Sequence, residues 1–224
     1  MKKYVLGLAV FAMSFASAQN VIWNKVVKSH ESTDRVLYKI DPAADKAEYL
    51  GEIEVQGFSD NDAEVFGMIY KKAKEIGANA FAYKPFESVD GMQAQFDPYN
   101  YRLSFYLLPQ DAFPKEDDVL YIFAPPAQDQ NITFNKETLK FKPRSFTKRK
   151  LKKGEVYTLS TRKLLGSSVK LSASANQPVQ HFQLHAFQVQ SNPYGEAGIS
   201  LKSGDVVRLE RSFAEFLTVI YREF

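Results

Sequence analysis

The chain has no cysteine, one tryptophan and three histidines among its 224 residues. Without thiols it can form no disulfide, no cysteine nucleophile and no thiolate metal site, so its fold must rest on an apolar core. It also lacks a phosphate-binding glycine loop, a Gly-x-Ser-x-Gly elbow, a His-Glu-x-x-His helix and a dinucleotide fingerprint. No catalytic residue, metal site or cofactor is therefore expected. The apolar run Val5 to Phe15 falls short of the ~20 residues that a spanning helix needs.

That short run has a different reading. Lys2 and Lys3 precede it, and Ala16-Ser17-Ala18 follows as a small-x-small cleavage site. Residues 1–18 are expected to be a signal peptide, with export to the periplasm or beyond as a soluble protein. With no cysteine at the cleavage site, no lipid anchor is expected. Export also argues against a nucleic-acid partner.

Charge divides what remains. Residues 19–118 carry 11 Lys/Arg against 18 Asp/Glu, and residues 119–224 carry 16 against 8. Two halves of opposite sign suggest two domains that attract each other. Pro109 to Asp118, proline-bearing and acidic, is the candidate linker. The expected division is an acidic α+β domain at 19–109, a linker at 110–118 and a basic β-sandwich at 119–224.

The first half is organised around Ser59 to Tyr83. Ser59 is the expected N-cap, with Asp62 as a carboxylate version of the capping-box partner. Val65, Ile69, Ala73 and Ile76 make an apolar stripe at the helical period, and Gly77 stops the helix. Strands are expected at Arg35 to Ile40, Tyr49 to Phe58, Phe81 to Tyr83 and Tyr101 to Leu108. In the second of these, Ile53 and Val55 should be buried and Glu52, Glu54 and Gln56 wet. The order β-β-α-β-β gives one helix lying on a sheet.

Leu50-Gly51-Glu52-Ile53-Glu54-Val55, followed after the helix by Ala73-Lys74-Glu75-Ile76-Gly77-Ala78-Asn79-Ala80, resembles the signature of a group of small domains. The group includes domains labelled heavy-metal-binding and the envelope-stress sensor lipoprotein of the Rcs phosphorelay. The resemblance covers about 60 residues and implies the strand-helix-strand core. The sensor's cysteines have no counterpart here, and this segment holds no His/Cys cluster.

After residue 118, short strands with turn signals and no helical period suggest an all-β sandwich. They are expected at Val119 to Phe123, Ile132 to Phe134, Thr138 to Phe141, Val156 to Leu159, Val169 to Ala173, Gln180 to Val189, Ile199 to Leu201, Val206 to Leu209 and Phe216 to Tyr221. Residues 151–159 and 201–209 share the pattern L-K-x-G-[ED]-V-x-x-L, read as a glycine turn launching a strand. His181 and His185 alternate with Phe182 and Leu184, which suits a solvated strand face. On a strand their rings stand about 13 Å apart, too far for one ion.

The strongest anomaly is Lys136 to Lys153, with nine basic residues and one acid, Glu137. Within it Lys140, Lys142, Arg144, Lys148, Arg149, Lys150, Lys152 and Lys153 are the candidate polyanion-binding set. The competing reading is a face that docks on the chain's own acidic half. Phe96, Tyr99, Tyr101 and Tyr106 are weaker candidates for stacking on sugar rings. The sequence thus points to a non-enzymatic envelope binding or adaptor module for an anionic surface or acidic partner. The alternatives are a carbohydrate-binding or carbohydrate-processing protein, or a component that self-assembles through its acidic and basic halves.

Overall fold

The computed structural model describes residues 20–44, 46–57, 59, 61–86, 95–161, 168–174, 176–184 and 206–224. The expected signal peptide, His185, the strand Ile199 to Leu201 and the glycine turn of the second L-K-x-G copy lie outside those residues. The chain is α+β and mostly sheet, with two helices among the described residues.

The first sheet has five strands: β1 (Asn20–Val26), β2 (Tyr38–Lys39), β3 (Glu48–Gln56), β4 (Ala80–Lys84) and β5 (Asn100–Leu107), in the order β1-β3-β5-β4-β2. β1 had no clear sequence signal, because its side chains are mostly exposed and only Val21 and Trp23 pack inward. The expected strand at Arg35 to Ile40 reduces to two residues paired parallel with β4. Helix α1 (Asp62–Glu75) lies on this sheet, and Val65, Phe66, Ile69 and Ala73 are its buried apolar residues.

Its N-cap is Asn61, not Ser59. The Asn61 carboxamide oxygen accepts from the Glu64 N–H at 3.2 Å, while Ser59 Oγ accepts from the Asn61 N–H at 3.0 Å. The expected capping partner, Asp62, serves another purpose described below. At the other end the Ala78 N–H donates to Ala73 O and the Gly77 N–H to Lys74 O, a Schellman motif with Gly77 at φ +72°. A Cβ on Gly77 would lie 2.0 Å from His30 O, so close approach as well as φ demands glycine. Gly51 is required for a similar reason, because its Cβ would meet Lys25 O at 2.6 Å. Asn79 is fully buried; its side chain accepts from the Leu108 N–H at 2.7 Å and donates to Leu108 O and Asp34. The Gly-Ala-Asn-Ala residues therefore hold the fold.

Glu52 corrects the expectation of a wet strand face. It is buried, with Asn24, Lys84 and Arg102 gathered round its carboxylate from β1, β4 and β5. Cross-strand neighbours that the sequence cannot place roof it over.

The remaining strands are β6 (Val119–Phe123), β7 (Gln130–Phe134), β8 (Glu137–Phe141), β9 (Ser145–Lys150), β10 (Val156–Thr161), β11 (Ser168–Ser172), β12 (Gln180–Leu184), β13 (Val206–Arg208) and β14 (Arg222–Glu223). They form a four-stranded sheet, β11-β10-β7-β8, and a five-stranded one, β13-β12-β6-β9-β14. Leu120, Ile122, Phe182 and Leu184 from the second pack against Ile132, Phe134, Leu139, Phe141 and Leu159 from the first. The opposite face of the five-stranded sheet presents Tyr121, Phe123 and Phe146 to another core.

That other core is completed by a helix where a strand was expected. Phe216 to Ile220 belong to α2 (Arg211–Ile220), with Tyr221 as its C-cap, and the helix buries Phe213, Ala214, Phe216, Leu217 and Ile220. Glu210 caps it, its carboxylate accepting from the Phe213 N–H at 3.0 Å. Phe, Thr, Val and Ile are strand formers, but here the 3–4 spacing of apolar residues and the fit against α1 prevail. Phe66 of α1 packs on Phe213 and Phe216, with ring centroids 5.5 and 5.2 Å apart. The apolar contacts thus continue across Pro109–Asp118, and the last helix packs with the first sheet.

Candidate functional site

The basic run occupies β8, the loop after it, β9 and the turn at 151–155. Strand β9 falls inside it and was not anticipated, because Ser145 to Lys150 carries one apolar residue and three cations. The eight candidate cations do not share one surface. Alternation along β8 turns Lys140 away from Leu139 and Phe141, on the outer side of the four-stranded sheet. In β9, Lys148 lies across from Tyr121 and Arg149 across from Leu120, so the two side chains leave opposite faces.

Their partners differ as well. Lys142 pairs with Asp129 at 2.7 Å, Lys148 with Glu116 at 2.5 Å, Arg149 with Glu137 at 3.4 Å and Lys152 with Glu155 at 3.9 Å. Exposed pairs of this kind contribute at most about 1 kcal/mol. Lys140, Lys150 and Lys153 are exposed, and none joins an ion pair among the described residues.

Arg144 stands apart. Its side chain is 13 % exposed and Asp62's is 8 %; the guanidinium meets Asp62 Oδ1 at 2.9 Å and donates to Ser59 O at 3.0 Å. Tyr221 Oη donates to Asp62 Oδ2 at 2.8 Å. The Tyr99 ring lies 5.2 Å from the guanidinium carbon. Arg144 holds φ +51°, an uncommon conformation for a residue with a Cβ. Among the described residues Tyr101 Oη is buried without a hydrogen-bond partner, and burial followed by the Asp62 charge pushes its pKa far up. Losing one partner of such a buried pair costs about 3–5 kcal/mol. This cluster joins the start of α1 to the β8–β9 loop and the end of α2, a structural seam.

A second polar group lies on the five-stranded sheet. His181, expected on a solvated face, is buried and stacks on Tyr121 with centroids 5.3 Å apart. Burial, then the charges of Arg211 and Arg208, push the imidazole down to about 3. Both faces of this sheet are covered, so Gln180 and Gln183 are buried too and polar alternation misreads as exposure. Tyr121 Oη meets Glu116 at 3.1 Å, and Glu116 holds Lys148 firmly protonated.

The proposed sugar-stacking aromatics serve packing. Tyr101 is wholly buried, Phe96 packs on Tyr83 and Tyr101, and Tyr106 packs on Tyr49. Among the described residues no three His, Cys, Asp or Glu side chains gather as a metal site, and no helix is long and apolar enough to cross a membrane. The docking alternative sets the basic run against the acidic residues 41–64, Asp62 among them, and Arg144 does meet Asp62. Sequence reasoning missed Glu116 as the partner of Lys148 and Tyr221 as the second partner of Asp62, because no local signal marks them.

The fold and these groups define a β-rich α+β protein whose surface cations are only partly neutralised from within. No protein-family model, curated protein or solved structure matches the chain.

Proposed function

We propose that the chain is a non-enzymatic, exported envelope protein that acts as a binding or adaptor module for an anionic surface or acidic partner. The observation that carries this reading is the trio Lys140, Lys150 and Lys153, exposed and outside every ion pair of the described residues. Lys142 and Lys152, each 79 % exposed, add cations whose own pairs an external anion can replace at small cost. Arg144 has no part in it, because Asp62 holds that side chain within the seam. The leader-like residues 1–18 support export, and the likeness of residues 50–83 to envelope sensor domains fits the compartment. In this reading, residues 19–109 and 119–224 are two halves docked through the seam. Arg144–Asp62 and Lys148–Glu116 neutralise opposite charge within one molecule, which weakens the case for assembly between molecules.

The test is retention on heparin and on anionic vesicles at low and high salt. A lysine near an anionic surface contributes about 1 kcal/mol, so Lys140→Gln/Lys150→Gln/Lys153→Gln should weaken binding about a hundredfold with the thermal midpoint unchanged. Wild-type retention should fall as the Debye length shrinks from ~10 Å at 0.1 M to ~3 Å at 1 M. Wild-type protein passing through both matrices at low salt overturns the reading.

A further inference from the structure

The outer face of the four-stranded sheet carries a pattern that the basic run does not explain. Register pairs Ser168 with Ser160, Ser160 with Thr133 and Thr133 with Thr138. Cross-strand partners in an antiparallel sheet point the same way, so four hydroxyl side chains stand in one row across β11, β10, β7 and β8. Their inward neighbours Val169, Leu159, Ile132 and Leu139 belong to the core, which places the row on the opposite, outer side. With strands about 4.8 Å apart, the row is about 14 Å long, close to the length of three sugar rings. Lys170 stands two residues beyond Ser168, and Lys140 two beyond Thr138, so cations flank the row at both edge strands.

The charge of this face is one-sided. Its described residues on these four strands are Ser, Thr, Asn, Val and Lys, with no carboxylate among them. The outer face of the first sheet shows the usual alternative, with Glu52 and Glu54 set among Lys84 and Arg102. Lys142, Lys148, Arg149 and Lys152 of the basic run pair with Asp129, Glu116, Glu137 and Glu155, whereas Lys140 and Lys170, like Lys150 and Lys153, join no ion pair of the described residues.

We infer that this face binds an anionic polysaccharide laid across the strands. The inference rests on the proposed anion-binding function and names the class of partner. Hydroxyls both donate and accept, which is what a sugar's own hydroxyls require, and the flanking lysines answer its carboxylates or sulfates. A membrane surface is disfavoured, since interfacial insertion buries an apolar face, and Val156 is the one exposed large apolar side chain among the described residues of this face. An acidic peptide is recognised by strand addition at an edge or by a tight cluster of cations, whereas Lys140 and Lys170 stand on opposite edge strands.

The experiment is calorimetric titration of the full chain with a galacturonate oligomer, beside vesicles of phosphatidylglycerol. Lys140→Gln/Lys170→Gln should weaken oligomer binding at least tenfold, and Thr133→Val/Thr138→Val at least threefold. Lys150→Gln/Lys153→Gln should weaken it less than Lys140→Gln/Lys170→Gln does. If the valine variant loses thermal stability, the lysine pair decides, because both of its side chains are exposed. Loss of binding in Lys150→Gln/Lys153→Gln with the face variants unaffected overturns this inference and leaves the anion-binding function standing. Binding to vesicles and not to the oligomer does the same. Wild type binding neither removes both.

Discussion

Lys142 and Arg144 are two residues apart in one basic loop, and each meets an aspartate within 3 Å. The Lys142–Asp129 side chains are 79 % and 61 % exposed, and the Arg144–Asp62 side chains 13 % and 8 %. At the rim, water screens both charges whether or not they pair, so the pair adds little. In the seam, each charge has given up its water and depends on its partner. Tyr221 and Ser59 O complete the hydrogen bonds at the buried site. Equal distances therefore mean unequal consequences, and burial is the variable that separates them.

The largest expected effect is on the seam. Asp62→Ala should destabilise by about 3–5 kcal/mol in denaturant unfolding, because Arg144 and Tyr221 both lose their acceptor. Replacing the pair together, as Asp62→Leu/Arg144→Met, should recover much of that loss by removing both buried charges. A single substitution that costs no more than a rim substitution would break the comparison.

His181 sharpens it by pH. Its folded pKa, about 3, lies below the ordinary value of 6.5. Its contribution is therefore full above about pH 6.5, and between there and about 3 the unfolded chain binds the extra proton. Stability should fall by about 1.4 kcal/mol per pH unit through that window, or about 2 kcal/mol at pH 5. His181→Phe should flatten this part of the profile while other acid-sensitive groups keep theirs. Identical slopes in wild type and variant would show that the ring does not carry the effect.

The smallest effect belongs to the rim. Lys142→Gln should change stability by less than about 1 kcal/mol, and high salt should erase even that. A larger loss would mean that the exposed pair acts as more than a surface contact.

The sequence by itself determined what neighbours in the chain can dictate. The stripe Val65, Ile69, Ala73 and Ile76 is buried as its period requires, and Gly77 takes the left-handed conformation that ends α1. Most strands of the second half lie where alternation and turn residues placed them, for the same local reason. Tertiary structure decided the rest. Phe216 to Tyr221 reads as strand by composition, yet residues 216–220 are helical, with Phe216 packed on Phe66. Glu52 and His181 look exposed by alternation and are buried because other strands and a second layer cover them. Tyr221 and Asp62 share a proton contact across 159 residues of chain. The hydroxyl row on the outer sheet likewise exists only once four strands are in register. A side chain's period is a property of its own segment, but its burial and its partners belong to whatever the fold brings against it.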